Sequence, residues 1–259
     1  MNMTKIIVCG CFGRMGAVVC KLAAEARNVE VVAGVDILSS GDGLTFPTYG
    51  DISGCGMEAD AIIDFLPPIA VADTLAIIEH SVKKQVPLVL CTTGLPADVE
   101  NAVREASEKV AILQSPNMSL GINLLSNMLD RAARLLYDAN FDIEIVEKHH
   151  NQKLDAPSGT ALMLANTVND ALGGKMRLVN DRSQSHAKRG KDEIGLHALR
   201  GGSIVGEHNV VFAGLDEVIE FTHIAQSRDA FAVGALKAAE FIKGKPPGLY
   251  NMQDLINAL

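Results

Sequence analysis

The chain has 259 residues, 48% of them hydrophobic and 21% charged, with a formal net charge of −8. This composition fits a globular protein of one large or two smaller units and argues against a general nucleic-acid surface. Tryptophan is absent and aromatic residues reach only 4%, which leaves little material for stacking bases or clamping peptides.

In the first half, short apolar runs alternate with helical ones. Lys5–Cys9 (KIIVC) reads as a buried strand, Gly13–Arg27 as a helix through Val18, Leu22, Ala23 and Ala26, and Glu30–Val35 as a second strand. Asp60–Phe65, Val86–Cys91 and Val110–Leu113 are further strands, with helices over Ala70–Lys84 and Ala97–Lys109. Alternation of apolar strands and helices predicts a parallel sheet covered on both faces.

The pattern changes near residue 118. Leu120–Tyr137 reads as a long helix, Asp142–Lys148 as a strand and Gly159–Leu172 as a helix. Residues 173–192 are polar and aperiodic and read as a mobile loop. Ile194–Arg200, Ser203–Ala213 and Glu217–Gln226 are β-rich runs separated by Gly201-Gly202 and Gly214, which suggests antiparallel neighbours. Asp229–Lys243 is helical and ends at the proline-containing stretch Gly244–Gly248. The fold expected is α/β: a nucleotide-type domain followed by a second α+β domain.

No apolar run approaches the ~18–20 residues that span a bilayer. The run Ile6–Cys9, with glycines behind it, is too short for a signal-peptide core. No membrane association and a cytoplasmic location are expected. The five cysteines stand at 9, 11, 20, 55 and 91, with no CxxC, against a disulfide framework or a zinc knuckle.

After the first strand comes Gly10-Cys11-Phe12-Gly13-Arg14-Met15-Gly16. Glycines allow a tight turn and close approach to a pyrophosphate, and the following helix start offers N–H groups and a positive dipole. Asp36 lies about twenty residues further on, where an acid binds ribose hydroxyls. The spacing is GxxGxxG, with Phe12 in the usual second-glycine place, and a plain strand–helix turn is the competing reading. Asp36 is followed by Ile37, Leu38, Ser39 and Ser40, with no adjacent arginine for a 2′-phosphate, so NADH is favoured over NADPH. Cys91-Thr92-Thr93-Gly94 and Ser115-Pro116-Asn117-Met118 also follow strands, where open α/β sheets bind ligands; ordinary turn chemistry is the alternative.

The stretch EKHHNQKLDAPSGTA, residues 147–161, is chemically dense. Adjacent strand residues point to opposite faces, so His149 and His150 diverge and a shared metal is disfavoured. Two structural histidines remain one reading. The other is a proton donor beside a cation: His149 titrates near neutrality, and Lys148 and Lys153 supply charge. Ser158 is a plausible helix cap with Pro157 before it, and Gly159 lets a ligand approach backbone N–H groups. These features suit a small anionic substrate.

The run ExHHxxKxDAPSGTA resembles the signature of dihydrodipicolinate reductases. GxxGRMG at 10–16, IDF at 63–65, TTG at 92–94, PNMSLG at 116–121 and RGGxxxGEH at 200–208 resemble the same family, in order and over nearly the whole chain. The resemblance implies a Rossmann-type dinucleotide-binding domain of residues 1–118 plus 229–259, to which the last helix returns. Residues 119–228 would form a substrate and oligomerisation domain on an open mixed sheet. It implies NADH- or NADPH-dependent reduction of a cyclic imine, a dicarboxylate substrate, closure between domains and a homotetramer. By matching position, His149 is the acid/base histidine and Lys153 the proton donor. His150, Lys153, Gly159 and Thr160 hold substrate carboxylates. Gly10, Cys11, Phe12, Gly13, Arg14, Met15, Asp36, Cys91, Thr92, Thr93, Ser115, Pro116, Asn117 and Met118 contact cofactor. No metal is implied. Leu66-Pro67 departs from relatives with polar or basic residues there, and Arg200-Gly201-Gly202 reads as a turn of second rank. The competing functions are another two-domain NAD(P)-dependent reductase and a non-catalytic dinucleotide-sensing regulator.

Overall fold

The computed structural model describes residues 3–38, 44–183 and 186–259. Its elements in order are β1 (Thr4–Cys9), α1 (Arg14–Glu25), β2 (Val29–Val35), β3 (Thr48–Tyr49), β4 (Ala61–Asp64), α2 (Val71–Lys84), β5 (Leu88–Leu90), α3 (Ala97–Ser107) and β6 (Ala111–Gln114). Then follow α4 (Leu120–Asp138), β7 (Asp142–His149), α5 (Gly159–Ala171), β8 (Arg177–Val179), β9 (Glu193–Arg200), β10 (Gly206–Ala213), β11 (Val218–Ala225), α6 (Asp229–Ile242), β12 (Gly248–Tyr250) and α7 (Met252–Ala258). The chain divides into two compact units, residues 1–120 with 229–259, and residues 121–228.

The first unit holds a seven-stranded sheet in the order β12-β6-β5-β4-β1-β2-β3, with every pairing parallel. β1 shows why its sequence is apolar throughout. Ile6 and Val8 enter a core with α1 and α6, whereas Ile7 and Cys9 enter a second core with α2 and α3. A strand buried on both faces has no polar alternation to show. β1 pairs with β2 on one side and β4 on the other, so chain direction across the sheet reverses beside it. Ligands of open α/β sheets bind at such a switch point, beyond the carboxyl ends of the strands.

The second unit holds a five-stranded mixed sheet in the order β11-β10-β7-β9-β8. Residues of β7 alternate: Ile143, Ile145, Glu147 and His149 are buried, and Asp142, Glu144, Val146 and Lys148 are half-buried. Ile143 and Ile145 pack with Leu125, Leu129 and Ala133 of α4 and Leu164, Ala165 and Val168 of α5. The opposite face is more open, with Val218 and Ile224 of β11 more than half exposed.

Two expectations are corrected. Residues 173–192 are not a featureless loop, because they contain β8, which pairs in parallel with β9. Their charges have partners: Arg177 and Arg182 bind Glu193, and Arg189 reaches Asp142 and Glu144. Residues 184 and 185 lie outside the described residues. Nor does Gly201-Gly202 fold β9 back onto β10. Gly201 N–H donates to the His149 carbonyl and Asn151 N–H to the Gly202 carbonyl, extending the parallel β7–β9 ladder. β7 itself lies between β9 and β10, so only β10 and β11 form an antiparallel hairpin.

Candidate active site

In the first unit, the residues read as cofactor ligands follow β1, β2, β5 and β6 at the carboxyl edge of the parallel sheet. Gly10 turns the chain at φ +75, and its Cα faces the Phe65 backbone, where a Cβ would lie 3.2 Å away. α1 is preceded by Gly13 at its N-cap, with no side-chain cap and no acidic residue in its first turn, leaving its positive end without a built-in anion. Phe12 N–H donates to Asp36 Oδ2 at 2.9 Å, and Leu38 N–H donates to Asp36 Oδ1 at 3.0 Å. The acid is thereby held beside the glycine turn. Ser39 and Ser40 lie outside the described residues.

Not every expected ligand offers its side chain at this edge. Cys11, Cys91 and Met118 are buried in the α1/α6 core, so backbone is what they present. Burial pushes the Cys11 thiol up to about 11 and the Cys91 thiol well above its ordinary value. Thr92 is buried and donates to the Leu66 carbonyl at 2.7 Å, while Thr93 is exposed. Ser115 Oγ donates to the Asn117 carbonyl at 3.0 Å, and Asn117 Oδ1 accepts from Ser119 N–H at 2.8 Å, which shapes the turn around exposed Pro116. Arg14 is exposed and Met15 is partly buried against the core. A glycine turn of this shape, an uncapped helix start and a fixed acid fit a nicotinamide dinucleotide.

In the second unit, β7 ends at His149, and His150 begins the turn that carries Lys153. Lys153 N–H donates to the His150 carbonyl at 3.2 Å, and Lys153 Nζ lies 2.8 Å from Asp155 Oδ1. The Ala156–Pro157 peptide is cis. Ser158 caps α5, its Oγ accepting from Ala161 N–H at 3.2 Å. Gly159 is exposed, with open space where a Cβ would stand, and Thr160 is half-buried in the first turn. His149 is buried and His150 half-buried, which separates the two rings as strand geometry requires. Burial pushes His149 below the ordinary histidine value, against the opposing pull of Glu147.

Sequence reasoning missed Glu147, the most connected carboxylate of the segment. Its Oε2 lies 2.6 Å from His149 Nδ1, and its Oε1 accepts from Ser158 N–H at 3.0 Å. Arg200 binds both oxygens, Nη1 to Oε2 at 2.7 Å and Nη2 to Oε1 at 2.6 Å. Burial works to raise the Glu147 carboxyl, but Arg200, His149 and the Ser158 N–H outweigh it and hold it below the usual carboxylate range. The available signal was the period of two that separated the histidines, since it puts Glu147 on the His149 face. Arg200, ranked second, is this carboxylate's partner and also donates to the Asp155 carbonyl at 2.7 Å. His208 was missed as well. Its Nε2 lies 3.1 Å from Ser158 Oγ, its ring stands edge-on to His149, and burial takes it down to about 4. Among the described residues, no group of three or more His, Cys, Asp or Glu side chains could hold a metal ion.

The parallel sheet with its glycine turn, joined in one chain to a unit carrying histidine and lysine at a helix start, defines a dinucleotide-dependent oxidoreductase. The family models described as dihydrodipicolinate reductase, N-terminus, and dihydrodipicolinate reductase, C-terminus, match residues 4–118 and 121–256. The chain belongs to the dihydrodipicolinate reductase family. It is 46% identical over 256 residues to the 4-hydroxy-tetrahydrodipicolinate reductase of Clostridium tetani, covering 99% of this chain and 98% of that one. The protein of the same name from Caldanaerobacter subterraneus subsp. tengcongensis is 49% identical over 254 residues, covering 98% of both. The fold is shared with a dipicolinate-bound dihydrodipicolinate reductase from Paenisporosarcina sp. TG-14, at a TM-score of 0.81 and 22% identity, over 99% of this chain and 100% of that one.

Proposed function

We propose that this chain is a 4-hydroxy-tetrahydrodipicolinate reductase, which forms tetrahydrodipicolinate on the diaminopimelate route to lysine. The observation that carries this reading is the segment 147–161. There a buried histidine, a lysine and an open helix start stand within fifteen residues, in a chain with full-length kinship to enzymes of that name.

When bound, a nicotinamide dinucleotide supplies the hydride. The backbone of Gly10–Met15 and the start of α1 would hold its phosphates, and Asp36 its ribose hydroxyls. Thr92, Thr93 and the Ser115–Met118 turn would line the nicotinamide end. The carboxylate of Asp36 repels a 2′-phosphate, and neutral Ile37 does nothing to offset that, so NADH is the preferred donor. In the second unit, His150, Lys153, Gly159 and Thr160 would hold the substrate carboxylates. As the conjugated imine is reduced, negative charge builds on the substrate ring. Lys153 stabilises that charge and delivers a proton, with His149 as an acid/base group.

The more open face of the five-stranded sheet supports a homotetramer, since it carries Val146, Val211 and Ile224 in partly exposed positions. Five free cysteines suit the reducing cytoplasm. The deciding experiment follows oxidation of NADH and of NADPH in parallel, with substrate made freshly by the upstream synthase. Turnover with NADH ahead of NADPH is expected, and no turnover with either overturns the reading. Light scattering of the same sample tests the tetramer.

A further inference from the structure

Four groups converge on the Glu147 carboxylate, which is 1% exposed: a ring nitrogen, two guanidinium nitrogens and the N–H of a helix cap. A carboxylate accepts hydrogen bonds and donates none, so a neutral His149 must carry its proton on Nδ1 to complete the 2.6 Å contact. Nε2 then holds the lone pair. Nε2 makes no hydrogen bond among the described residues, and the backbone it faces is Gly206, where a Cβ would stand 3.1 Å away. The same carboxylate holds Ser158, whose Oγ caps the helix that starts at Gly159.

We propose that Glu147, locked by Arg200, is the positioning residue of the site: it fixes the proton on His149 Nδ1, leaves Nε2 as the working nitrogen, and ties the ring to the start of α5. One side chain thereby sets both the proton-transfer group and the helix end assigned to the substrate carboxylate. The proposal rests on the reading of His149 as an acid/base group. Arg200 does more than neutralise charge, because its fork occupies both carboxylate oxygens and prevents the carboxylate from rotating away from the ring.

The test uses the full chain and Glu147→Gln. The glutamine keeps the shape, and its oxygen can still accept from Ser158 N–H, which no amide NH₂ could do. Its NH₂ then faces His149 Nδ1 and Arg200 Nη1, so Arg200 keeps only its bond to the amide oxygen, and the NH₂ must donate to Nδ1, moving the ring proton to Nε2. Long-range proton–nitrogen spectra of labelled protein read this directly. Expected are an Nδ1–H ring in the parent protein, an Nε2–H ring in Glu147→Gln, and a His149 titration displaced to lower pH once the carboxylate charge is gone. Turnover is expected to fall roughly 10–100-fold, as when other orienting partners are lost, with little change in dinucleotide affinity. The limb of the pH–rate profile that follows His149 moves with its titration. An unchanged tautomer and titration in Glu147→Gln overturn the proposal. So does an Nε2–H ring in the parent protein, a measurement that needs no variant and stands even where Glu147→Gln fails to fold. His149→Gln separates the two readings: full turnover there removes the acid/base role of His149 and leaves the tautomer result to judge Glu147.

Discussion

Lys153 Nζ and Asp155 Oδ1 form an ion pair at 2.8 Å across one intervening residue, Leu154, whose side chain is 99% exposed. The lysine assigned to an anionic substrate therefore already has an anion. Lys153 is the largest of the influences that hold the Asp155 carboxyl below its ordinary value, joined by the N–H of Asp155 itself and, more weakly, that of Gly159. Asp155 thus stands on groups that the substrate carboxylate would use. Its side chain is more than half exposed, so the pair contributes only about 0–1 kcal/mol. Asp155→Asn is expected to lower KM for substrate by no more than about fivefold, with kcat nearly kept. Lys153→Ala is expected to cut turnover by roughly 10²–10⁴ with dinucleotide affinity unchanged. Steady-state kinetics on both variants check this, and normal turnover in Lys153→Ala removes it from the chemistry.

Asp36 is expected to discriminate between cofactors. Its two oxygens already accept from Phe12 and Leu38 N–H groups, and each retains acceptor capacity for a ribose hydroxyl. Asp36→Ala also releases Phe12, so affinity for both dinucleotides should drop. The ribose contribution appears in the difference. NADH is expected to lose roughly 10–100-fold, the range of a charge-assisted hydrogen bond, and NADPH less, because a repulsion is removed. Fluorescence titration with both cofactors measures the ranking, and a larger loss for NADPH rejects the assignment.

The parts of the fold legible in the sequence were those whose burial is local in origin. KIIVC announces a strand buried on both faces, and the Leu120–Tyr137 spacing announces a helix with one buried stripe. The three-residue strands β8 and β12 were not legible, because so short a run has no period and depends on a distant partner. The helix α7 follows a proline-containing stretch and is only seven residues long, held by an Asn251–Asp254 capping box. At the site, motif residues were legible and their supports were not. Glu147 looks like the polar end of a strand until Arg200, 53 residues on, is placed against it.

Asp64 should make stability depend on pH. It is wholly buried at the end of β4, and burial raises its carboxyl to about 6 despite the hydrogen bond from Leu66 N–H and the Thr92 hydroxyl 3.3 Å away. The folded state therefore keeps this proton between about pH 4 and 6, where an unfolded chain has released it. With more protons bound when folded, stability from this group is greatest below about pH 4 and is lost as pH rises to about 6. The loss is on the order of 3 kcal/mol. Asn at this position keeps the acceptor for Leu66 N–H and has no charge to bury. Asp64→Asn is expected to gain on the parent as pH rises from about 4 to about 8 in urea unfolding. Parallel curves for the two proteins across that range count against the buried charge.

Arg189 is expected to matter for stability more than for chemistry. Its guanidinium donates to Glu144 and Asp142 carboxylates and to the Ile143 and Glu193 carbonyls, joining the starts of β7 and β9. It is mostly buried at 18% side-chain exposure, so its loss leaves the two carbonyls without this donor. Arg189→Ala should cost roughly 1–3 kcal/mol. Glu144 should also titrate nearer to an ordinary carboxylate, because Arg189 is among the groups that hold it low. Thermal unfolding checks the first effect, and a melting curve identical to the parent's assigns the network no structural weight.

Gly16 is expected to be the least replaceable residue of the glycine turn. A Cβ there would stand 2.0 Å from the Gly10 carbonyl oxygen, 2.7 Å from its carbon and 2.9 Å from Cys11 Cα. All three atoms are backbone, so no side-chain rotation relieves the clash, and α1 must move off the end of β1. Overpacking of this kind costs about 1–3 kcal/mol or more. It also displaces the N–H groups of the α1 start from the position assigned to the phosphates. Gly16→Ala should therefore lower both the melting temperature and dinucleotide affinity. Gly56→Ala, with nothing within 4 Å of its Cβ, should stay within about 0.5 kcal/mol of the parent. Paired melting curves and cofactor titrations decide the matter, and parental affinity in Gly16→Ala would separate the turn from dinucleotide binding.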